Sequence, residues 1–445
     1  MRTETVHHEL RRSLNRVILG VSFGIVYFTV VNGPPLTGFI RALGANDLIY
    51  SIIMALPMLS SVVQVLAAYL FENSGYRKLS FLISGFFRVI WIPIVLIPLI
   101  LPAKDYHARI ILITILIAIY SITNSVTGVS FLSWMGDLVP SAIRGRFFST
   151  RTMVFTMVGA VAGLLIGLFL DRLNNLVGFA ILFSVVAIFG MIDIACFIWI
   201  KDPPHPPRPK SSFRELCMEP FQNPNYVKYL SFAAVWNFGI NFATPFFNVY
   251  MLENLGMKYF NVFILSQFVS NVATILFVRV WGRIADKYGS KPVLMICGTG
   301  MVMISFLWCL ATPGNYLLII PLIYVLTGIF WPGCDVTSTN LAIWLAPEKN
   351  RSAYIAMYTL AASLVGGGLA YICGGAFMEF TGPYFAQLKL PFLFGHYFNN
   401  FHSLFIIAGI VRVIAVFGLM QRVTDGQSSA QQLLKGIKKR LKVEG

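Results

Sequence analysis

The sequence predicts an all-α membrane protein: twelve transmembrane helices in two parallel six-helix halves. Three observations predict it. The 445 residues are 57% hydrophobic and only 12% charged, where soluble domains run near 45–50% apolar and about 25% charged. The apolar residues gather into twelve runs long enough to cross a bilayer. Finally, three landmarks recur in order, at a near-constant offset, on either side of one long polar interruption.

Runs of at least about 18 apolar residues mark spanning helices. They lie near 15–43, 47–71, 79–102, 109–136, 147–170, 178–200, 226–254, 259–281, 292–312, 315–345, 353–378 and 399–420, and are numbered here as spans 1 to 12. The polar, basic N-terminus MRTETVHHELRRSLNR precedes a first span too long for a signal peptide and without a small-residue cleavage site, which reads as a retained signal anchor. Span 1 breaks at Asn32-Gly33-Pro34-Pro35 and ends near Leu43-Gly44; span 7 breaks at Asn241 to Pro245 and ends at Leu255-Gly256. Proline removes a backbone donor and disfavours helix in the residue before it.

Between spans 6 and 7 stands KDPPHPPRPKSSFRELCMEPFQNPN, Lys201 to Asn225, whose prolines favour extended chain and whose Ser211 to Glu215 suit a short surface helix. The expected domains are therefore 1–200, a linker at 201–225, 226–420 and a basic tail at 421–445. In that tail Leu433, Leu434, Ile437 and Leu441 alternate with Lys435, Lys438, Lys439 and Arg440, the pattern of an interfacial helix or of a solvated tail.

The net charge of +16 invites a nucleic-acid reading, and its distribution rejects it. With loops assigned alternately, and cations near span ends, Arg151 among them, counted with the adjoining loop, 26 of the 34 Lys and Arg fall on one side, six on the other, and two (Arg88, Arg412) deep within spans. That asymmetry is the positive-inside bias; it puts both termini in the cytoplasm and makes the basic excess topological. Short loops and tails suit a prokaryotic cytoplasmic membrane. Cys196, Cys217, Cys297, Cys309, Cys334 and Cys373 avoid the outer loops, so no disulfide framework is expected, and no Cys/His spacing implies a metal. No HExxH, GxSxG or phosphate-binding glycine loop occurs, no motif implies a cofactor, and an enzyme is not expected.

The decapeptide GRIADKYGSK, Gly282 to Lys291, joins spans 8 and 9, and AYLFENSGYRK, Ala68 to Lys78, joins spans 2 and 3, with Glu72 opposite Asp286 at an offset of 214. PSAIRGR from Pro140 and PEKNRSA from Pro347 follow spans 4 and 10 at an offset of 207. These turns resemble the cytoplasmic signature loops of the major facilitator superfamily, and the resemblance covers essentially the whole chain. It implies two six-helix halves related by an axis along the membrane normal, secondary transport of a small molecule by alternating access, and a monomer in the bilayer. The first turn departs from the family pattern at Ala68, Asn73 and Tyr76. The resemblance also implies gating by a charge network of Glu72, Gly282, Asp286, Lys287, Gly289, Arg144 and Arg351, formed when the cytoplasmic ends meet. A tight turn held inside by Lys287 and Lys291 is the alternative.

In this family spans 1, 4, 7 and 10 line a central cavity. Span 7 carries Asn237, Asn241, Thr244 and Asn248 on one face, which must meet protein or water because amides facing hydrocarbon are costly. Span 10 carries Thr327, Trp331, Asp335 and Ser338 on one face; Asp335 is a candidate proton carrier, or an ion-pair partner of Arg412. Span 4 carries Tyr120, Asn124, Thr127 and Phe131 on one face. The expected substrate site is Asn124, Asn237, Asn241, Thr244, Trp331 and Asp335. These residue types suit a neutral polar solute, sugar-like or nucleoside-like; a drug-like cation opposite Asp335 is the alternative, as is a non-transporting sensor or assembly factor on the same fold. Arg88 and Asp193, at similar depths on spans 3 and 6, are expected to form a structural ion pair, with snorkelling as the alternative. Glycines at 159, 163 and 167 and at 366–368 let helices approach closely.

Overall fold

The computed structural model describes residues 2–64, 66–67, 76–200, 202–203, 218–347, 351–388, 390–392 and 397–424. Glu72, Ala68, Asn73, the Ser211 to Glu215 segment and the basic tail from residue 425 lie outside the described residues. What is described is helical apart from short connections and one isolated bridge, Pro391 with Tyr397. Eleven helices among the described residues are long and apolar enough to cross a membrane. The remaining span of the expected twelve is span 7. It is divided into Pro224–Asn241, whose 18 residues are too polar to count, and Thr244–Val249, which is too short, and the division falls where Asn241 to Pro245 predicts it.

Span 1 is divided in the same way. Arg2–Val31 ends at the Asn32-Gly33 step and a new helix, Pro34–Ala42, starts with proline in its first turn, where no backbone donor is needed. Each of these broken spans stops at a glycine in the left-handed region, Gly44 at φ +83° and Gly256 at φ +63°, 212 residues apart. Span 2 then begins at Asp47, with the Asn46 side chain accepting from Ile49 N at 2.8 Å.

Contacts divide the chain into two compact units, Met1–Lys210 with Pro245–Phe268, and Ser211–Thr244 with Val269–Gly445. The far end of span 7 and the start of span 8 thus pack within the first unit. Each unit carries the same internal strut. In the first, Lys78 Nζ donates to Ile198 O at 3.0 Å and Ile200 O at 2.6 Å, satisfying carbonyls left open at the end of span 6. In the second, Lys291 Nζ donates to Gln421 O at 3.2 Å and Val423 O at 2.7 Å at the end of span 12. Lys78 and Lys291 are the last residues of the two signature turns, 213 apart. Beside Lys78, buried Arg77 reaches Asp137 on span 4, Asp202 and Pro203 O.

Candidate functional site

In the first unit a buried charge cluster organises the interior. Arg88 sits on a tight 3-10 turn, Phe87–Ile90, midway along span 3, and its Nη1 donates to Asp193 on span 6 and to Gly190 O at 3.2 Å. The expected ion pair is therefore present. Asp193 fits because Gly24 of span 1 has no side chain: a Cβ there would lie 2.3 Å from Asp193 Oδ2. Rings hold the guanidinium from the other side, with Arg88 Cζ 5.1 Å from the Tyr27 centroid and 5.0 Å from that of Phe28.

This cluster forms one wall of a cavity of about 210 Å³ inside the first unit. Asn124 and Thr127 of span 4 line it, as does Arg151 of span 5, and Phe28, Phe131 and Phe155 complete its apolar surface. Thr127 is turned into the helix contacts, donating to Thr123 O at 2.9 Å and meeting Ser84 Oγ at 2.8 Å. Arg88 Nε, Arg151 Nε and Asp193 Oδ1 are buried without a hydrogen-bond partner among the described residues. Arg88, Asp193 and Arg151 are absent from the expected site. Loop counting assigns Arg151 to the cytoplasmic turn, whereas it lies ten residues into the helix Ser141–Arg172, above the Phe131 ring at 5.0 Å.

The second unit repeats the frame with different chemistry. Arg412 of span 12, 219 residues after Asp193, donates from Nη1 to Met301 O at 3.1 Å and to Ser305 Oγ at 2.7 Å on span 9. Gly239, 215 residues after Gly24, makes its room: a Cβ there would lie 2.8 Å from Arg412 Cγ. Arg412 thus bonds to a carbonyl and a hydroxyl, and the alternative of an Asp335–Arg412 pair is not realised. Asp335 is exposed on Tyr316–Leu345 and makes no ion pair or hydrogen bond among the described residues; Trp331, one turn earlier, is exposed too.

The span 7 stripe is partly interhelical. Asn241 Nδ2 donates to Gly366 O at 2.8 Å, within the π-helical stretch Ala361–Leu369, whose wider turn frees carbonyls from the usual ladder. Asn237 Nδ2 and Thr244 Oγ1 donate to Ala233 O and Ile240 O of their own span, each at 2.8 Å.

At the Gly44 end of the first unit two latches tie the Pro245–Phe268 segment to the rest. Arg41 Nε and Nη2 donate to Glu253 Oε1 at 2.7 Å and Oε2 at 2.9 Å, a bidentate fork, while Nη1 donates to Asp47 at 2.8 Å. Asp171 accepts from Tyr259 N at 2.7 Å and Phe260 N at 3.2 Å, capping the helix Tyr259–Phe263 with a charge suited to its N-terminus. Gly163, Gly167 and Asp171 stand at i, i+4 and i+8 on span 5, and the two glycines admit Phe263 and Phe260. Neither latch is anticipated by local sequence.

The second signature turn is sharp. Ser270–Tyr288 ends, Gly289 turns at φ +94°, and Ser290–Leu307 begins at once. Asp286 is exposed and has no hydrogen bond or ion pair among the described residues. Lys287 Nζ lies 5.0 Å from the Tyr288 ring centroid. Arg144 does not reach a carboxylate; it donates to Gly136 O at 2.7 Å and Val139 O at 3.3 Å, and Arg351 is exposed at the start of Arg351–Leu360.

A family model described as Major Facilitator Superfamily matches residues 17–371 and 267–443. The chain belongs to the Major Facilitator Superfamily. Members of that superfamily are transporters rather than enzymes. Among curated relatives, multi-drug resistance efflux pump PmrA from Streptococcus pneumoniae is 31% identical over 147 residues, 32% of this chain and 35% of that protein. The match thus spans about a third of the relative's length. Among solved superfamily structures, a point variant of the nucleoside transporter NupG aligns with TM-score 0.75 at 13% identity, covering 93% of this chain and all of that one. The xylose transporter XylE from E. coli, inward open, aligns with TM-score 0.62 at 15% identity over 94% of this chain and 96% of that one. At such identities these likenesses show the fold.

Proposed function

We propose that this superfamily member moves a small polar solute across the cytoplasmic membrane by alternating access, with both termini in the cytoplasm and the solute held at the Asn124 cavity of the first unit. The observation that supports this most directly is a charged and polar wall, Arg88, Asp193, Asn124 and Arg151, set among phenylalanines inside helices built for lipid. Intramembrane charges are expensive and mark solute or ion pathways. The nucleoside and sugar transporters with this fold favour a polar solute, and export remains the second reading, since the PmrA relative is described as an efflux pump.

In this reading Asp335 carries the coupling proton. The Arg41–Glu253 and Asp171 contacts latch the outer end of the first unit, with spans 1 and 7 bending at their breaks. Asp286 engages an arginine such as Arg351 only in the alternate state, and Glu72 serves the first turn in the same way. The test is solute flux in proteoliposomes with and without a pH gradient, after a thermal-shift screen of sugars, nucleosides, amino acids and lipophilic cations has identified a bound class. The expected result is flux that responds to the gradient in the unmodified protein and loses that response in Asp335→Asn. An unchanged response in Asp335→Asn removes Asp335 from the coupling step, and no flux of any bound solute removes the transporter reading.

A further inference from the structure

We infer that the cavity of the first unit takes a solute bearing an anionic group on a small aromatic or apolar body; this rests on the transporter reading above and narrows its substrate class.

The charge count inside the cavity carries the inference. Three ionisable side chains line it, Arg88, Arg151 and Asp193, two positive against one negative. Asp193 is paired with Arg88 through Oδ2, and its Oδ1 is left without a hydrogen-bond partner among the described residues. Arg151 makes no hydrogen bond or ion pair among the described residues, and its Nε is buried without a partner. Its guanidinium is held by the Phe131 ring, with Cζ 5.0 Å from the centroid. A guanidinium held over a ring face by cation–π attraction keeps its N–H donors for other partners, and their fork matches carboxylate and phosphate geometry.

A neutral solute would leave an uncompensated charge in a low-dielectric wall, and a cation would add repulsion. An anion bridging Arg151 and the unused Nε edge of Arg88 cancels the excess and satisfies both donors. The remaining surface suits an apolar body: Phe28, Phe131 and Phe155 face the same space, with Asn124 as the neutral polar contact. At about 210 Å³ the cavity is smaller than the roughly 300–1,000 Å³ of drug-sized pockets, so the solute is small.

The experiment compares probes of one shape and different charge on the purified full-length protein: phenylacetate, phenyl phosphate, phenylacetamide and phenethylammonium, read by thermal shift at equal ionic strength. The expected order is an anion first, at least about tenfold tighter than the amide, with the ammonium last. Whether phenylacetate or phenyl phosphate leads decides between a carboxylate and a phosphate solute. In Arg151→Gln the anion is expected to fall to within about twofold of the amide, and Arg151→Lys, which keeps the charge and loses the fork, to keep part of the preference. The charge order in the unmodified protein decides even where a variant does not fold. Ammonium binding as tightly as the anions, no stabilisation by any probe, or a folded Arg151→Gln with full anion preference would each overturn the inference. Counterflow of labelled phenylacetate well above its carboxyl pKa reads transport separately. Anion preference without flux defeats the transporter reading and leaves the anion site, whereas flux of the amide or ammonium without anion preference does the reverse.

Discussion

Arg41 holds Glu253 through two parallel hydrogen bonds across 212 residues of sequence, and uses its remaining nitrogen on Asp47. The Arg41 side chain is 23% exposed and that of Glu253 40%, so the pair is worth at most about 1 kcal/mol of stability. Its effect is expected on conformation. In Glu253→Gln, a cysteine replacing buried Thr37 is expected to react several-fold faster with an impermeant maleimide applied from outside. An unchanged rate would show that the fork does not hold the outer end shut.

Breaking the Arg88–Asp193 pair from one side leaves a buried charge alone. Arg88→Met or Asp193→Leu is expected to cost about 3–5 kcal/mol, and the double variant distinctly less than the sum. Unfolding of the purified variants in detergent measures this, and additive single effects would show that the two groups do not depend on one another.

Gly24→Ala tests the same cluster from span 1. A Cβ there would sit 2.3 Å from Asp193 Oδ2, and that oxygen cannot swing away without leaving Arg88. The expected loss is about 1–3 kcal/mol, with a comparable loss for Gly239→Ala against Arg412. Wild-type thermal stability in both variants would show that the helices separate freely at these points.

Lys291→Met removes the donor to Gln421 and Val423. A cation at a helix C-terminus contributes about 0.3–1 kcal/mol, so global stability changes little. Hydrogen exchange of the amides near residues 420–423 is expected to accelerate, and the matching change at Lys78 to do the same near 198–200. Exchange unaltered at both sites would remove the strut.

The frame was legible because its signals are local. Apolar runs give the spans, Asn32 to Pro35 and Asn241 to Pro245 give the breaks, and equal depth in the membrane paired Arg88 with Asp193. The candidate site was legible only in part. Of the expected substrate residues only Asn124 lines the cavity of the first unit, and Asn241 is bonded to Gly366 on another helix, a partner that its own span cannot announce. Arg151 was missed because counting charges by loop treats a cation near a helix start as a loop residue. Asp171 and Glu253 look like ordinary acids at span ends; their partners stand 88 and 212 residues away, and helix packing alone brings them together.

Lys78 and Lys291 bind each signature turn to the last helix of its own half. A turn fastened in this way cannot swing as a flap: any displacement of it drags the end of span 6 or span 12 along. The moving part is then a block of several helices, stiff at the lysine end. The divided far ends of spans 1 and 7 are tied differently, to one another through the Arg41–Glu253 fork. Each lysine thus joins the turn and the closing helix of its half into one mechanical piece.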